Sequence, residues 1–456
     1  MTIAELKSEK IGILGFGQEG QAVLHYLAKN GISATVYDKN FDKLPEDTKQ
    51  FAHQYHTTIV QGENYLDTIS ESTVLFRSPG VWRNEPKILE AERKGSVITS
   101  QTKWFFENCP ATIIGITGTK GKGTTSSIIY DCLKASFRHA YLTGNIGKIQ
   151  PLEFLSELKA SDFVVYELSS FQLQDLTISP HIGICLMVTS DHLDHHENLD
   201  EYHNAKASIC AHQNQNDFVI YNSDHEASVK IGEQGLGQKY TFSTKSKPTQ
   251  GAYIDGEKII LTSPFKADIV IDCSNRTLRG VHNLENIAAA TVAASILDIS
   301  TENITKSVTN FKGLEHRLQL VGEQNEVMYY NDSISTVPDT TIAALNSFTE
   351  PVHLLLGGSD KGLDYTDLVK DLISRKNIAS ITLLGKTGNT IKQLLDAQSS
   401  SIPTFGPYTD FALAIKETKD RAKKGDVVLL SPASASFDMF KNYAERGTTF
   451  VKLVSE

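Results

Sequence analysis

Cysteine is scarce in this sequence. There are five in 456 residues (Cys109, Cys132, Cys185, Cys210 and Cys273), and none forms a Cys-x-x-Cys pair. That argues against a disulfide framework and against a thiol-based zinc site. Long apolar runs are missing too, and none approaches the roughly 20 residues a bilayer-spanning helix needs. The first ten residues, MTIAELKSEK, carry charges where a secretory leader would have its apolar stretch. The expectation is a cytoplasmic chain with no membrane association. Positive charge is also short: 44 Lys and Arg against 54 Asp and Glu give a net charge of −10. A protein that binds nucleic acid through its general surface would be basic, so no nucleic-acid partner is expected. Any anionic ligand must be held by local devices.

What is present is ordinary for a globular protein: 40% hydrophobic and 21% charged residues. The length suggests about three domains. Short β-branched runs alternate with helical patterns. They fall at 10–14, 33–38, 73–76 and 96–99, then at 111–117, 162–168, 181–188 and 217–222, and again at 352–358, 380–385 and 426–431. Such alternation predicts an α/β fold with parallel sheets covered on both faces. Residues 239–280 lack a helical period and contain the turn signal Asp255-Gly256, so a β-rich excursion is expected there. The blocks divide near residue 100 and near Lys312-Gly313, giving 1–100, 101–313 and 314–456.

Two glycine motifs carry chemistry. Gly15-Phe-Gly17-Gln-Glu-Gly20 follows the first strand and opens a helix, and Asp38 ends the next strand. That is the setting of a dinucleotide fingerprint, with glycines for close backbone approach and a helix N-terminus facing phosphate. Asp38 could hold the ribose of NAD, or the motif could hold another diphosphate nucleotide. Ser78-Pro79-Gly80 adds backbone N–H groups at the same sheet edge. The second motif runs Thr117-Gly118-Thr119-Lys120-Gly121-Lys122-Gly123-Thr124-Thr125, between a strand and a helix. Its amides form an anion nest and a lysine reaches outer phosphates. It departs from the full phosphate-loop pattern: Ile116 stands where the first glycine should be, and Gly123 stands where the metal-binding hydroxyl should follow the lysine, with Thr124 next.

Metal-type residues follow. Glu167 ends a strand, and Asp191-His192-Leu-Asp194-His195-His196 follows another. With no His-Glu-x-x-His and no thiol, zinc is weak. A hard Mg2+ held by carboxylates and nucleotide phosphates, with at most one histidine, is more economical. His195, His196 and His203 read mostly as surface histidines, and Lys206, taken alone, as a surface lysine on a helix.

Joined together, these residues resemble the Mur ligases. The matching segments are Gly118-Thr119-Lys120-Gly121-Lys122, Gly144-Asn145-Ile146-Gly147, Tyr166 to Leu173, Thr189 to Asp194, His282-Asn283 with Asn286, Glu315-His316-Arg317 and Asn331-Asp332-Ser333. Leu430 to Asp438 and Lys441-Asn442-Tyr443 resemble the glutamate-adding member. The likeness covers the whole chain in order. It implies a Rossmann-like N-terminal domain for a UDP sugar, a central P-loop ATPase domain and a C-terminal Rossmann-like amino-acid domain.

It also implies an ATP-dependent amide ligase of peptidoglycan precursor synthesis, hence of cell wall biogenesis, cell shape and cell division. Glutamate, D by default with L as the alternative, would be added to UDP-N-acetylmuramoyl-L-alanine through an acyl phosphate. By the same resemblance, Gly118, Thr119, Lys120, Gly121, Lys122, Gly123, Thr124, Asn283, Asn286, Arg317 and Asp332 serve ATP. Gln18, Glu19, Asp38, Ser78, Pro79, Gly80, Asn145 and His192 serve the UDP sugar, so the first glycine motif takes UDP rather than NAD. Thr336, Lys361, Ser436 and Tyr443 serve the amino acid. Two Mg2+ ions fall to Glu167, His192, Lys206 and Thr124, with Lys206 carried as a carbamate, and Lys122, Glu167, His192 and Lys206 are the catalytic set. Where many members read Asp-Ser-Lys-Ala-Thr, this chain has Asp332-Ser333-Ile334-Ser335-Thr336, which removes a cation near the amino-acid site. The rivals are an NAD-dependent oxidoreductase and a non-catalytic UDP-sugar-binding relative.

Overall fold

The computed structural model describes residues 1–55, 57–146, 149–189, 196–264, 269–278 and 280–456. Its strands build three sheets. In the first, β1 (Ile11–Leu14), β2 (Ala34–Asp38), β3 (Thr58–Gln61), β4 (Val74–Arg77) and β5 (Val97–Thr99) lie in the order β3-β2-β1-β4-β5. All are parallel. β1 and β4 are buried along their whole length, as central strands covered on both faces must be. The strand order reverses between β1 and β4, which opens a crevice at their C-terminal ends.

The second sheet contains β6 (Thr112–Thr117), β7 (Ala140–Gly144), β8 (Phe163–Glu167), β9 (Ile182–Cys185), β10 (Phe218–Asn222), β11 (Gln238–Ser243), β12 (Gly251–Asp255), β13 (Lys258–Leu261) and β14 (Val270–Asp272). Their order is β14-β13-β12-β11-β10-β9-β6-β8-β7. The expected β-rich excursion is present, but it does not form a sheet of its own. β11 and β12 continue the parallel sheet, and only β13 and β14 pair antiparallel at its edge. β6 lies between β8 and β9, so this sheet's switch point sits at the end of β6, where the second glycine motif begins.

The third sheet contains β15 (Gln319–Gln324), β16 (Val327–Asn331), β17 (Val352–Gly357), β18 (Ile378–Leu384), β19 (Thr404–Tyr408) and β20 (Val427–Leu430), in the order β15-β16-β20-β17-β18-β19. β15 and β16 form an antiparallel pair and the remaining pairings are parallel.

By contacts the chain divides into two compact units. One is Met1–Ser274 with Leu284–Val308, and the other is Asn275–Asn283 with Thr309–Glu456. The first unit holds the first two sheets. They share a core in which Phe16, Val36 and Phe76 belong to the same apolar cluster as Trp104, Tyr166 and Val219. Arg77 reinforces this union. Its guanidinium is buried, donates from Nε and Nη2 to Asp175 at 3.0 and 2.6 Å, and donates to the carbonyls of Val81 and Phe171. In the second unit, β16, β17, β18 and β20 contribute Tyr330, Leu354, Leu356, Ile381, Leu383, Val427 and Leu429 to one apolar cluster. No helix among the described residues is long and apolar enough to cross a membrane.

Candidate functional site

The glycine-rich segment after β6 turns into a helix over Lys122–Ala135. Its N-cap is Gly121 at φ +87°, with no side-chain cap, so the backbone N–H groups of the first turn are not taken by a cap side chain. Only glycine fits at 121: a Cβ there would lie 2.1 Å from Oδ1 of Asn286. Asn286 is nearly buried and its carbonyl accepts from Thr125 Oγ1. The nest is pinned from the other side as well. The Thr119 amide donates to Met187 O at 2.8 Å, and its hydroxyl meets Thr189 O and Tyr202 OH, both at 3.1 Å.

Three charged side chains surround this loop. Lys122 Nζ turns back on its own loop and donates to Gly118 O at 3.0 Å and Thr119 O at 3.2 Å. Lys206 reaches the same Gly118 O at 3.1 Å and Thr117 Oγ1 at 3.4 Å. Glu167 ends β8, beside β6, and is 8% exposed. The surface reading of Lys206 fails: it is 2% exposed, its ammonium lies 4.8 Å from the Tyr202 ring centroid, and it is held inward by the helix Leu199–Ala207. Tyr202 was not singled out from sequence, although its four-residue spacing from Lys206 puts both on one helix face.

His196 also departs from expectation. It is 4% exposed, stacks on Phe171, and bridges Ser170 Oγ at 2.9 Å and Glu201 Oε2 at 2.5 Å. His192, with Asp191, Asp194 and His195, lies outside the described residues. Asn145 follows β7 and is exposed, with its amide on the Glu167 carbonyl at 3.4 Å.

The described residues offer hard oxygen donors for Mg2+: the Glu167 carboxylate and the nearly buried Thr124 hydroxyl one residue beyond Gly123. This donor chemistry fits Mg2+ with water and phosphate oxygens completing the shell. As an amine, Lys206 donates hydrogen bonds and offers no oxygen.

At the first sheet's switch point, Gly15 and Ser78 meet. Ser78 Oγ donates to Gly15 O at 2.9 Å, and Ser78 N to Leu14 O. Asp38 spends both carboxylate oxygens on backbone amides, Phe16 N at 2.7 Å and Asn40 N at 2.8 Å. Its carboxylate therefore shapes the glycine loop. The helix Gln18–Lys29 starts at Gly17 without a side-chain cap. Gln18 and Gly80 are exposed at this mouth, and Pro79 is half-buried. Glu19 turns inward instead. Its Oε1 accepts from Gln172 Nε2 at 2.8 Å, its Oε2 is buried without a partner, and burial pushes its carboxyl up to about 7.

In the second unit the predicted residues cluster at the C-terminal edge of the third sheet. Asp332 follows β16; burial raises it to about 6, against hydrogen bonds from Ser335, Ser431 and the Leu318 amide. Arg317 is exposed and lies close enough to lower it. Thr336 follows on the same segment and is half-buried. Lys361 is exposed after β17, with its ammonium 5.2 Å from the Phe437 ring centroid. Ser436 is buried after β20, and Tyr443 opens the last helix. Asn283 belongs to this unit and is nearly buried. Arg446, missed from sequence because a lone helical arginine carries no motif, is 1% exposed beneath these segments.

Glycine loops at the switch points of two parallel sheets, with a strand-end carboxylate and an inward lysine around one of them, define a nucleotide-type α/β protein. Family models match the chain in order: the MurD-like N-terminal domain of Mur ligases at 9–100, the Mur ligase middle domain at 116–294, and the Mur ligase glutamate ligase domain at 316–434. UDP-N-acetylmuramoylalanine–D-glutamate ligase of Acetivibrio thermocellus is 38% identical, over 99% of this chain and 97% of its own. The enzyme of the same name from Clostridium kluyveri is 35% identical over the same shares. Among solved structures, UDP-N-acetylmuramate-alanine ligase MurC of Thermotoga maritima shares the fold, with a TM-score of 0.59 at 16% identity, covering 98% of this chain and 99% of that one. MurF of Acinetobacter baumannii does so with a TM-score of 0.60 at 16% identity, over 79% and 82%. The chain belongs to the Mur ligase family, and it is an ATP-dependent ligase, as its motifs led one to expect.

Proposed function

We propose that the protein joins D-glutamate to UDP-N-acetylmuramoyl-L-alanine in the cytoplasm, consuming ATP and releasing ADP and phosphate, as a step of peptidoglycan precursor synthesis. The observation that carries the ligase chemistry is the phosphate nest after β6, with Lys122 and Lys206 both turned onto it and Glu167 beside it. The choice of glutamate is supported by the names of the full-length relatives. D-glutamate is favoured over L-glutamate on the same ground.

In this reading the domains run 1–100, 101–313 and 314–456. Gln18, Ser78, Pro79 and Gly80 receive the UDP end, with Asp38 and Glu19 supporting that loop from behind, and Asn145 and His192 stand near the muramoyl carboxylate. Gly118 to Thr124 and Lys122 hold the β- and γ-phosphates, while Asn283, Asn286, Arg317 and Asp332 serve the rest of the nucleotide. Lys122 stabilises charge on the transferring phosphoryl group, which demands positioning and cations more than covalent catalysis. The substrate carboxylate oxygen bonds to the γ-phosphorus as ADP leaves. The glutamate amine then attacks the acyl carbon, and phosphate leaves as the amide forms. Mg2+, when bound, neutralises phosphate charge. Glu167 and Thr124 would hold it, with His192 and a carbamylated Lys206 as the remaining ligands. Thr336, Lys361, Ser436 and Tyr443 would hold glutamate.

The test is ATP-dependent phosphate release with UDP-N-acetylmuramoyl-L-alanine and, separately, D-glutamate, L-glutamate and D-alanine. Release with D-glutamate alone is expected. Release with L-glutamate instead would move the protein to the L-adding branch, and equal use of alanine would refute a dicarboxylate substrate. UDP protection against thermal unfolding without NAD protection is expected in parallel.

A further inference from the structure

The four residues assigned to the incoming amino acid sit on four separate segments: Thr336 after β16, Lys361 after β17, Ser436 after β20, and Tyr443 at the head of the final helix. All four segments are tied to one buried guanidinium. Arg446 Nε donates to Ser333 Oγ at 3.0 Å, and Nη2 to Ser333 O at 2.8 Å. Nη1 donates to Ser434 O at 3.0 Å and to Ala435 O at 3.3 Å. Ser333 Oγ in turn donates to Tyr443 O at 2.7 Å, and Ser359 N donates to Ala435 O at 2.9 Å. The β17 segment can approach this closely because residue 358 is glycine. Its φ is +155°, and a Cβ there would stand 2.2 Å from Ala435 O and 3.3 Å from Arg446 Nη1.

Packing alone does not call for an arginine here. Among the described residues no carboxylate pairs with it, and its partners are carbonyl and hydroxyl oxygens. Burial lowers its pKa to about 10, and the Asp438 carboxylate opposes that shift. A buried cation with no carboxylate in hydrogen-bond contact is costly, and a pocket that takes a dicarboxylate is where such a charge has a use. Ile334 removes a cation from this pocket's sequence pattern, and Arg446 supplies one from below.

We propose that Arg446 is the positioning residue of the amino-acid pocket. It holds the segments of Thr336, Lys361, Ser436 and Tyr443 in register and supplies positive potential for the dicarboxylate. This rests on the glutamate-ligase reading.

The experiment is steady-state kinetics of wild type, Arg446→Lys, Arg446→Ala and Ser333→Ala, with thermal unfolding of each. Arg446→Lys keeps the charge but loses the multi-directional clamp, and is expected to raise KM for D-glutamate about tenfold or more while KM for ATP and for the UDP substrate stays within about twofold. Ser333→Ala, a milder cut in the same network, should shift the glutamate KM in the same direction by less. If Arg446→Ala fails to fold, the other two variants still decide. An unchanged glutamate KM in Arg446→Lys, or equal rises in all three KM values, overturns the proposal. Wild-type phosphate release that does not depend on glutamate would instead overturn the underlying reading, so the two failures are distinct.

Discussion

Lys122 and Lys206 place their ammonium nitrogens on the same carbonyl oxygen, that of Gly118, at 3.0 and 3.1 Å. Two cationic side chains converging on one carbonyl of a glycine-rich loop suit a phosphate anion bound beside them. Lys122 is the phosphate ligand in this arrangement. Lys122→Ala should lower kcat about a hundredfold, an effect on the order of 3 kcal/mol in the barrier. Phosphate release at saturating ATP measures it, and near-normal turnover would remove Lys122 from the role.

Lys206 is the other half of the pair. It is buried, and carbamate formation proceeds through the neutral amine, which takes up CO2. Lys206→Ala should be inactive and partly restored by acetate or another small carboxylate. Intact mass spectrometry under CO2 should show wild type heavier by one CO2. A bare amine in the active, CO2-supplied enzyme counts against the carbamate.

The central strands and both glycine loops were legible because buried parallel strands read as apolar β-branched runs, and loops that approach phosphate need glycine. Outside the β-rich excursion, five strands gave no such run, and one of them, β16 (Val327–Asn331), is an interior strand. The other four, β3, β7, β15 and β19, are sheet edges whose residues are mostly half-exposed, so nothing forces their side chains to be apolar. The continuity of β11 and β12 with the central sheet was equally hidden, since pairing partners are not written in local pattern. Burial of Lys206 and His196 was missed because composition places such residues outside; only the tertiary contacts of Tyr202 and Phe171 bring them in. Arg446 and the Arg77–Asp175 pair depend on residues far apart in sequence.

That pair supports a stability prediction. Arg77 and Asp175 are 2% and 7% exposed, and Arg83 adds a third group 3.2 Å from the Asp175 carboxylate. Breaking a buried pair from one side strands the other charge. Asp175→Ala should destabilise the protein by about 3 kcal/mol, read as a lowered denaturant midpoint, with Arg77→Ala costing less because Arg83 still faces the carboxylate. A loss under about 1 kcal/mol would mean that water reaches the site.

Glu19 gives the pH dependence. Its carboxyl lies at about 7 in the fold against 4.5 for the free group, raised mainly by burial, then opposed by Gln172 and Arg77 and reinforced by Asp175. Between these values the folded chain holds a proton that the unfolded chain has released. Stability from this group is therefore present below about pH 4.5 and lost as pH rises toward 7, with no further change above. Asp332, raised to about 6, acts in the same sense over a lower range. Glu19→Gln keeps the acceptor for Gln172 and replaces the unpartnered carboxylate oxygen with a neutral amide group. The variant should be more stable than wild type at pH 8, by up to about 3 kcal/mol, and the difference should shrink toward pH 5. Thermal unfolding of both proteins across that interval checks it: a constant offset, or a variant less stable at pH 8, would show that Glu19 is charged and accommodated in the fold at neutral pH.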